Sequence, residues 1–179
     1  MHPPNVFSAR AISIASRGNA RETPPPDSGE EEFARRSSRV AALLVMPSER
    51  RALFLQALSE LDVPVYCVED CREARRLLQP TPAVSHTSSV GLPVGLIVTH
   101  VSLPDGNWCD VLRMMNQLGA PASVVVDATE VNPTLWSEVF WRGAYDLLVQ
   151  PCDWNDVCQC LEGALRSRPR RLASSLSSS

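Results

Sequence analysis

The sequence predicts one α/β domain: a three-layer sandwich in which a doubly wound sheet of five parallel strands carries helices on both faces. Three observations predict it. Five short apolar runs, at 40–46, 63–68, 94–99, 122–127 and 145–149, alternate with amphipathic stretches. The runs are nearly continuous rather than alternating, which suits strands covered on both faces. The boundaries carry local stop and start signals, so the order is strand then helix five times over.

Each element has its own reason. The strand at 40–46 (VAALLVM) is followed by a helix at 48–61, in which Leu53, Ala57, Leu58 and Leu61 keep helical spacing. The second strand, 63–68, leads into a short helix at 72–78. A Pro/Ser/Thr-rich loop of unusual length, 80–93, then precedes the third strand, 94–99. Asn107, with Asp110 three residues on, is an N-cap that opens the helix at 108–118. After the fourth strand, 122–127 (ASVVVD), Asn132 is a cap and Pro133 takes the first helical position of the helix that runs through 134–142. The fifth strand is 145–149. Asp153 caps the last helix, 154–167, with Asp156 at its third position and arginines gathering at its C-terminus, as the helix dipole favours.

The flanks differ in kind. Residues 1–38, with TPPPDSGEEEF at their centre, cannot bury enough apolar surface to offset ordering and are expected to be a disordered arm. The domain proper is 39–167, and 168–179 is a basic, Ser-rich tail in which Pro169 stops any helix that reaches it. The formal charge of −3 over 179 residues is unevenly spread, because 39–165 holds eight Arg against fifteen acids. An acidic domain disfavours a nucleic-acid reader. All seventeen basic residues are arginine, so no lysine chemistry is on offer. The amphipathic, basic stretch VFSARAISIASR has the flavour of a transit peptide, but nothing else supports import. No run approaches the roughly 18–20 apolar residues of a membrane span, and a cytoplasmic location is expected. The cysteines, Cys67, Cys71, Cys109, Cys152, Cys158 and Cys160, sit in or beside apolar segments and are expected to be reduced, mostly buried fillers. Neither Cys67 with Cys71 nor Cys158 with Cys160 has the two-residue spacing of a zinc knuckle.

Ligands of a doubly wound sheet lie beyond the C-terminal strand ends, here Met46-Pro47-Ser48-Glu49, Glu69-Asp70, His100, Asp127-Ala128-Thr129 and Gln150-Pro151. At these ends, HVSLPDGNW after the third strand, VVVDAT after the fourth and RGAYDLLVQP around the fifth make the chain resemble the receiver domain of bacterial response regulators, over about 39–166. The resemblance implies the flavodoxin-like receiver topology. It also implies Mg²⁺ held by two acids after the first strand, an aspartate accepting phosphate from a histidine kinase after the third, and a Ser or Thr and a Lys steadying it. A hard cation needs carboxylate oxygens, and cation and ammonium together neutralise charge on the transferring phosphoryl group.

The working positions depart from that pattern. The acid pair falls on Met46 and Pro47, the acceptor on His100, the Ser/Thr on Asp127, the Lys on Gln150, and the aromatic of the fifth strand on Leu147. The scaffold remains in Leu103-Pro104, Gly106, Gly143-Ala144 and Pro151, whose preceding bond is typically cis in this family. Mg²⁺ binding is therefore expected to be lost, with no cofactor in its place. His100 as phosphate acceptor would lack charge neutralisation and face Asp127. A structural histidine, its ring nitrogens satisfied by turn backbone or Asp127, is the expected reading. A displaced acidic site of Glu49, Asp105 and Asp127 is the other candidate, although the Asp105-Gly106 step is explained by a turn alone.

Tryptophan anchors many interfaces, and four are available. Trp136 and Phe140, at i and i+4, are expected to pack in the core, whereas Trp141 points elsewhere and forms, with Tyr145 and Leu147, the candidate partner face. The function expected is that of a stand-alone, non-enzymatic pseudo-receiver in a two-component phosphorelay, binding a histidine kinase or another receiver, with homodimerisation possible. An atypical phosphoryl acceptor using Asp105 or His100 and a constitutive structural docking subunit are the alternatives.

Overall fold

A computed structural model describes residues 40–79, 92–130 and 133–167. The expected arm, most of the loop before the third strand, Asn132 and the basic tail lie outside the described residues.

The main sheet contains β1 (Ala41–Val45), β2 (Val65–Val68), β3 (Val94–His100), β4 (Ser123–Ala128) and β5 (Asp146–Val149). All pairings are parallel, in the order β2-β1-β3-β4-β5. Between them run α1 (Ala52–Glu60), α2 (Cys71–Leu78), α3 (Trp108–Leu118), α4 (Pro133–Arg142) and α5 (Trp154–Ser167). The fold is the flavodoxin-like receiver topology that the sequence predicts.

The strand period of two divides the core cleanly. On β1, Leu43 and Val45 face the layer of α2, α3 and α4, where they meet Ala74, Val111, Met115 and Val139. Ala42, Leu44 and Met46 face α1 and α5, against Phe54, Leu58, Val157 and Leu161. Both faces are apolar because both are covered, which is why the strands read as unbroken hydrophobic runs.

Three local features differ from expectation. The first helix is broken: Ser48–Arg50 form a 3₁₀ turn, with Arg50 N–H donating to the Pro47 carbonyl, and α1 starts only at Ala52. Its buried residues are Phe54, Ala57 and Leu58, while Leu53 and Leu61 pack at the margin. Second, β2 is an edge strand, so Cys67 is exposed, and of the six free thiols only Cys160 is buried. Third, Trp136 and Phe140 are 46% and 67% exposed rather than in the core. The cause is that the strip of α4 covered by the sheet is narrow: it buries Val139 alone, and Trp136 and Phe140 lie to one side of that strip.

The caps hold as read at α3, where Asn107 Oδ1 accepts from Cys109 N–H at 2.8 Å and Asp110 Oδ2 accepts from Asn107 N–H at 3.1 Å. Gly119 closes that helix in the left-handed region, with φ of 58°. The Gln150–Pro151 peptide is cis, as expected. Among the described residues no helix is long and apolar enough to cross a membrane.

Candidate functional site

The C-terminal ends of β1, β3, β4 and β5 converge on one fully buried carboxylate, Asp127. β3 and β4 pair in register so that His100 lies beside Asp127. Its Nδ1 is 3.0 Å from Asp127 Oδ2. From the loop after β1, Arg50 Nε donates to the same oxygen at 2.7 Å. From the end of β5, Gln150 Nε2 donates to Oδ1 at 2.9 Å. A buried carboxylate is costly unless paired and hydrogen-bonded, and here three donors surround it.

Asp127 in turn acts on Arg50. Its hydrogen bond and charge push the guanidinium above its ordinary pKa, against the opposing pull of partial burial. Arg50 Nη2 is buried without a hydrogen-bond partner, so the guanidinium is held by Asp127 at some cost to its own solvation. The neighbouring Arg51 ties down the same loop, donating through Nε and Nη2 to the Met46 carbonyl at 3.2 and 2.9 Å and reaching Glu69 at 3.4 Å.

These contacts place each predicted site residue. Met46 is fully buried in the core and Pro47 caps the 3₁₀ turn. Neither contributes a carboxylate to a metal. His100, Asp127 and Gln150 do meet, as a hydrogen-bonded cluster, and Pro151 follows across the cis bond. The displaced acidic site of Glu49, Asp105 and Asp127 is not assembled. Glu49 is exposed, and Asp105 is occupied elsewhere: its two oxygens accept from the N–H groups of Cys71 and Arg72, at 2.7 and 3.0 Å, at the start of α2. Slight burial raises the Asp105 pKa, but those backbone donors outweigh it and hold the carboxyl below its ordinary value. Among the described residues no group of three or more His, Cys, Asp or Glu is arranged to hold a metal ion.

On the proposed partner face, Trp141 is 82% exposed and Tyr145 is 39% exposed. Leu147 is not part of that surface. It is buried in the layer beneath α2, α3 and α4, because its strand position points inward.

Sequence reasoning missed Arg50. Its signal was available: once Asp127 is assigned to a buried strand end, a cation must be found near the neighbouring strand ends, and Arg50-Arg51 is the basic pair beside the end of β1. Asp70 was read only as a strand-end residue; it caps α2 by accepting from Glu73 N–H at 2.7 Å.

Solved structures that resemble this one include several receiver domains. A signal receiver domain from Vibrio parahaemolyticus is 26% identical, with a TM-score of 0.60, over 72% of this chain and 91% of that one. This is a receiver fold. The signal receiver domain of an HD domain-containing protein from Pseudomonas fluorescens Pf-5 matches at 21% identity and TM-score 0.59, covering 72% and 88% of the two chains. The non-phosphorylated HemR receiver domain of Leptospira biflexa matches at 21% and 0.58, covering 73% and 98%. No family profile matches the chain, and no curated protein matches its sequence.

The Mg²⁺ that the receiver fold implies does not fit these residues. Met46 and Pro47 bring no oxygen-bearing side chain, and both carboxylate oxygens of Asp127 already accept from Arg50, His100 and Gln150. A divalent ion would have to displace a guanidinium that carries its own positive charge to that point.

Proposed function

We propose that this receiver is a cytoplasmic, non-enzymatic signalling module that works by binding other signalling proteins, such as a histidine kinase or another receiver of a phosphorelay, without aspartyl phosphorylation and without Mg²⁺. One observation carries the reading: the carboxylate at the strand ends is neutralised internally, by Arg50 at 2.7 Å with His100 and Gln150 beside it. Phosphoryl transfer needs an accessible nucleophile and unspent positive charge to receive the developing anion. Here the guanidinium is already committed to Asp127, so no unspent positive charge is left to receive a phosphoryl group. Asp105, the other acidic candidate, has both oxygens engaged by backbone donors.

The test is intact-mass spectrometry at neutral pH after incubation with acetyl phosphate and Mg²⁺, on the wild type and on His100→Ala and Asp105→Asn. The expected result is no phosphate adduct on any of them. An adduct on the wild type overturns the reading, and its loss in one variant names the acceptor. A protein whose mass and binding neither phosphodonor nor any small ligand alters would instead support a constitutive docking subunit.

A further inference from the structure

The helix α4 turns its largest side chains outward. Over its ten residues only Val139 is buried, while Trp136, Phe140 and Trp141 stand 46%, 67% and 82% exposed, and the Phe140 and Trp141 rings meet edge to face at 5.9 Å. Tyr145, 39% exposed, continues the patch just past the helix. Trp141 follows the buried Val139 by two residues, roughly 200° around the helix, so its ring stands on the outermost line of this element. Isolated exposed apolar residues need no explanation, but four aromatic groups within 136–145 form a patch of the kind that marks a contact surface.

We propose that this ridge, together with the arginines that follow α5, seats the domain reversibly on an anionic lipid surface. Three features select a lipid surface. The first is the kind of side chain: every member is aromatic, and Trp and Tyr join an apolar ring to a polar N–H or O–H, the combination that settles at the boundary between headgroups and acyl chains. The second is shape. Trp136, Phe140 and Trp141 stand out as a ridge and line neither of the surface hollows of about 360 and 390 Å³. A protein partner has to supply a groove shaped to such a ridge, whereas a fluid lipid surface closes around it. The third is charge. Glu138 and Arg142, the only charged residues within 131–145, answer each other at 3.7 Å, so the ridge brings no net charge to the surface. Residues 163–179 hold four arginines and no acid: Arg166 pairs with Glu162, and Arg168, Arg170 and Arg171 follow it. Ser167 lines the same hollow as Gly143, Ala144 and Tyr145, so the arginine-bearing segment leaves the domain at the C-terminal end of the ridge. Acids of the domain gather at the opposite end of the sheet, where Glu69, Asp70, Glu73, Asp105 and Asp110 surround the starts of α2 and α3. Peripheral binding strengthens both with apolar area inserted and with attraction to anionic lipid, and here the two signals lie side by side. This inference goes beyond the proposed function and does not rest on the absence of phosphorylation.

Co-sedimentation of the full chain with vesicles tests it, using phosphatidylcholine alone and phosphatidylcholine with about 30% phosphatidylglycerol, at ~0.05 M and ~0.5 M salt, between which the screening length shrinks about threefold. The wild type is expected to bind the anionic vesicles at the lower salt at least ~10-fold more tightly than the neutral ones, and less tightly at the higher salt. Tryptophan emission should move to shorter wavelength on binding, as the Trp136 and Trp141 rings leave water. Phe140→Ala/Trp141→Ala, whose side chains are exposed, should keep the circular dichroism of the wild type and lose at least ~10-fold in affinity. Trp141→Ala alone should lose part of that factor. Arg168→Gln/Arg170→Gln/Arg171→Gln changes no residue of the sheet or its helices, and should lose at least ~10-fold together with most of the salt dependence. A ridge that serves another protein instead predicts no binding to either vesicle, and that result overturns the proposal. Equal binding to neutral and anionic vesicles, an aromatic double variant that binds like the wild type, or an arginine variant that does so would each overturn it as well.

Discussion

The strand-end cluster and the α4 ridge are the two regions of this domain that break ordinary packing rules, and they break them in opposite directions. At the strand ends, charge is buried and answered within the chain: Asp127 takes donors from β3, from β5 and from the loop after β1. On α4, apolar surface is exposed, with Trp136, Phe140 and Trp141 standing out among the described residues. The place where a receiver ordinarily meets small ligands is thus closed on itself, and the place most in need of a partner is a helix surface. That contrast is what supports the proposed binding role.

The sharpest way to break that contrast is to remove Arg50. Arg50→Ala leaves a fully buried carboxylate with only His100 and Gln150 to answer it, and removal of one partner from a buried pair costs about 3 kcal/mol. For a domain of this size that is on the order of 10 °C in melting temperature. Phe140→Ala/Trp141→Ala should change monomer stability by less than about 0.5 kcal/mol, because little is lost from the core. Urea unfolding of both variants measures the difference. Equal effects would mean that Arg50 is dispensable and that the cluster is not held as described. Replacing both charges, Arg50→Met with Asp127→Leu, should recover much of the loss, because the cost arises from an unanswered charge rather than from the missing pair.

Much of the fold was legible in the sequence because backbone pairing and two-sided burial leave a regular trace. The runs around Leu43, Ile97 and Val125 are buried in the two apolar layers on either side of the sheet, and Asn107 with Asp110 made its cap. The site was only half legible. His100, Asp127 and Gln150 could be placed by strand end alone, since register brings strand ends together. Arg50 could not, because its role depends on a 3₁₀ turn, and helical spacing over 48–61 masks the break. Trp136 and Phe140 were misplaced for a related reason. The i and i+4 relation shows that two side chains share a helix face, but not which face the sheet covers. Asp105 reads as a turn residue, and its second task, at the start of a helix 34 residues earlier, is a tertiary contact with no local signal.

That Asp105 contact gives a smaller, pH-dependent effect at the edge of the closed site. It satisfies two N–H groups at the start of α2, while Asp70 satisfies the next. Asp105→Asn keeps one acceptor oxygen and loses the negative charge that favours a helix N-terminus, so a cost of about 1 kcal/mol at neutral pH is expected. The folded-state pKa of Asp105 is lowered, so its contribution is present above the unfolded value, near 4, and is lost as pH falls through the folded value. The difference between wild type and Asp105→Asn should therefore shrink as pH falls below about 4. Urea midpoints at pH 7 and pH 3 check this, and a difference that grows on acidification would contradict the assignment.

The smallest effect on stability falls beside the exposed ridge. Gly163 lies in α5, directly beneath Tyr145: a methyl group added there would stand 2.5 Å from the tyrosine oxygen. Glycine inside a helix costs about 1 kcal/mol relative to alanine, so Gly163→Ala gains helix propensity while forcing the Tyr145 ring to move. The ring is a poor anchor for the fold, being more than a third exposed, and its end is free to swing outward. The two contributions should nearly cancel in stability, leaving the midpoint within about 0.5 kcal/mol of wild type. A midpoint lowered by well over that amount would show that packing on α5 holds the Tyr145 ring in place. A midpoint raised by about 1 kcal/mol would show that the ring moves aside at no cost and that only the helix propensity gained at position 163 is felt.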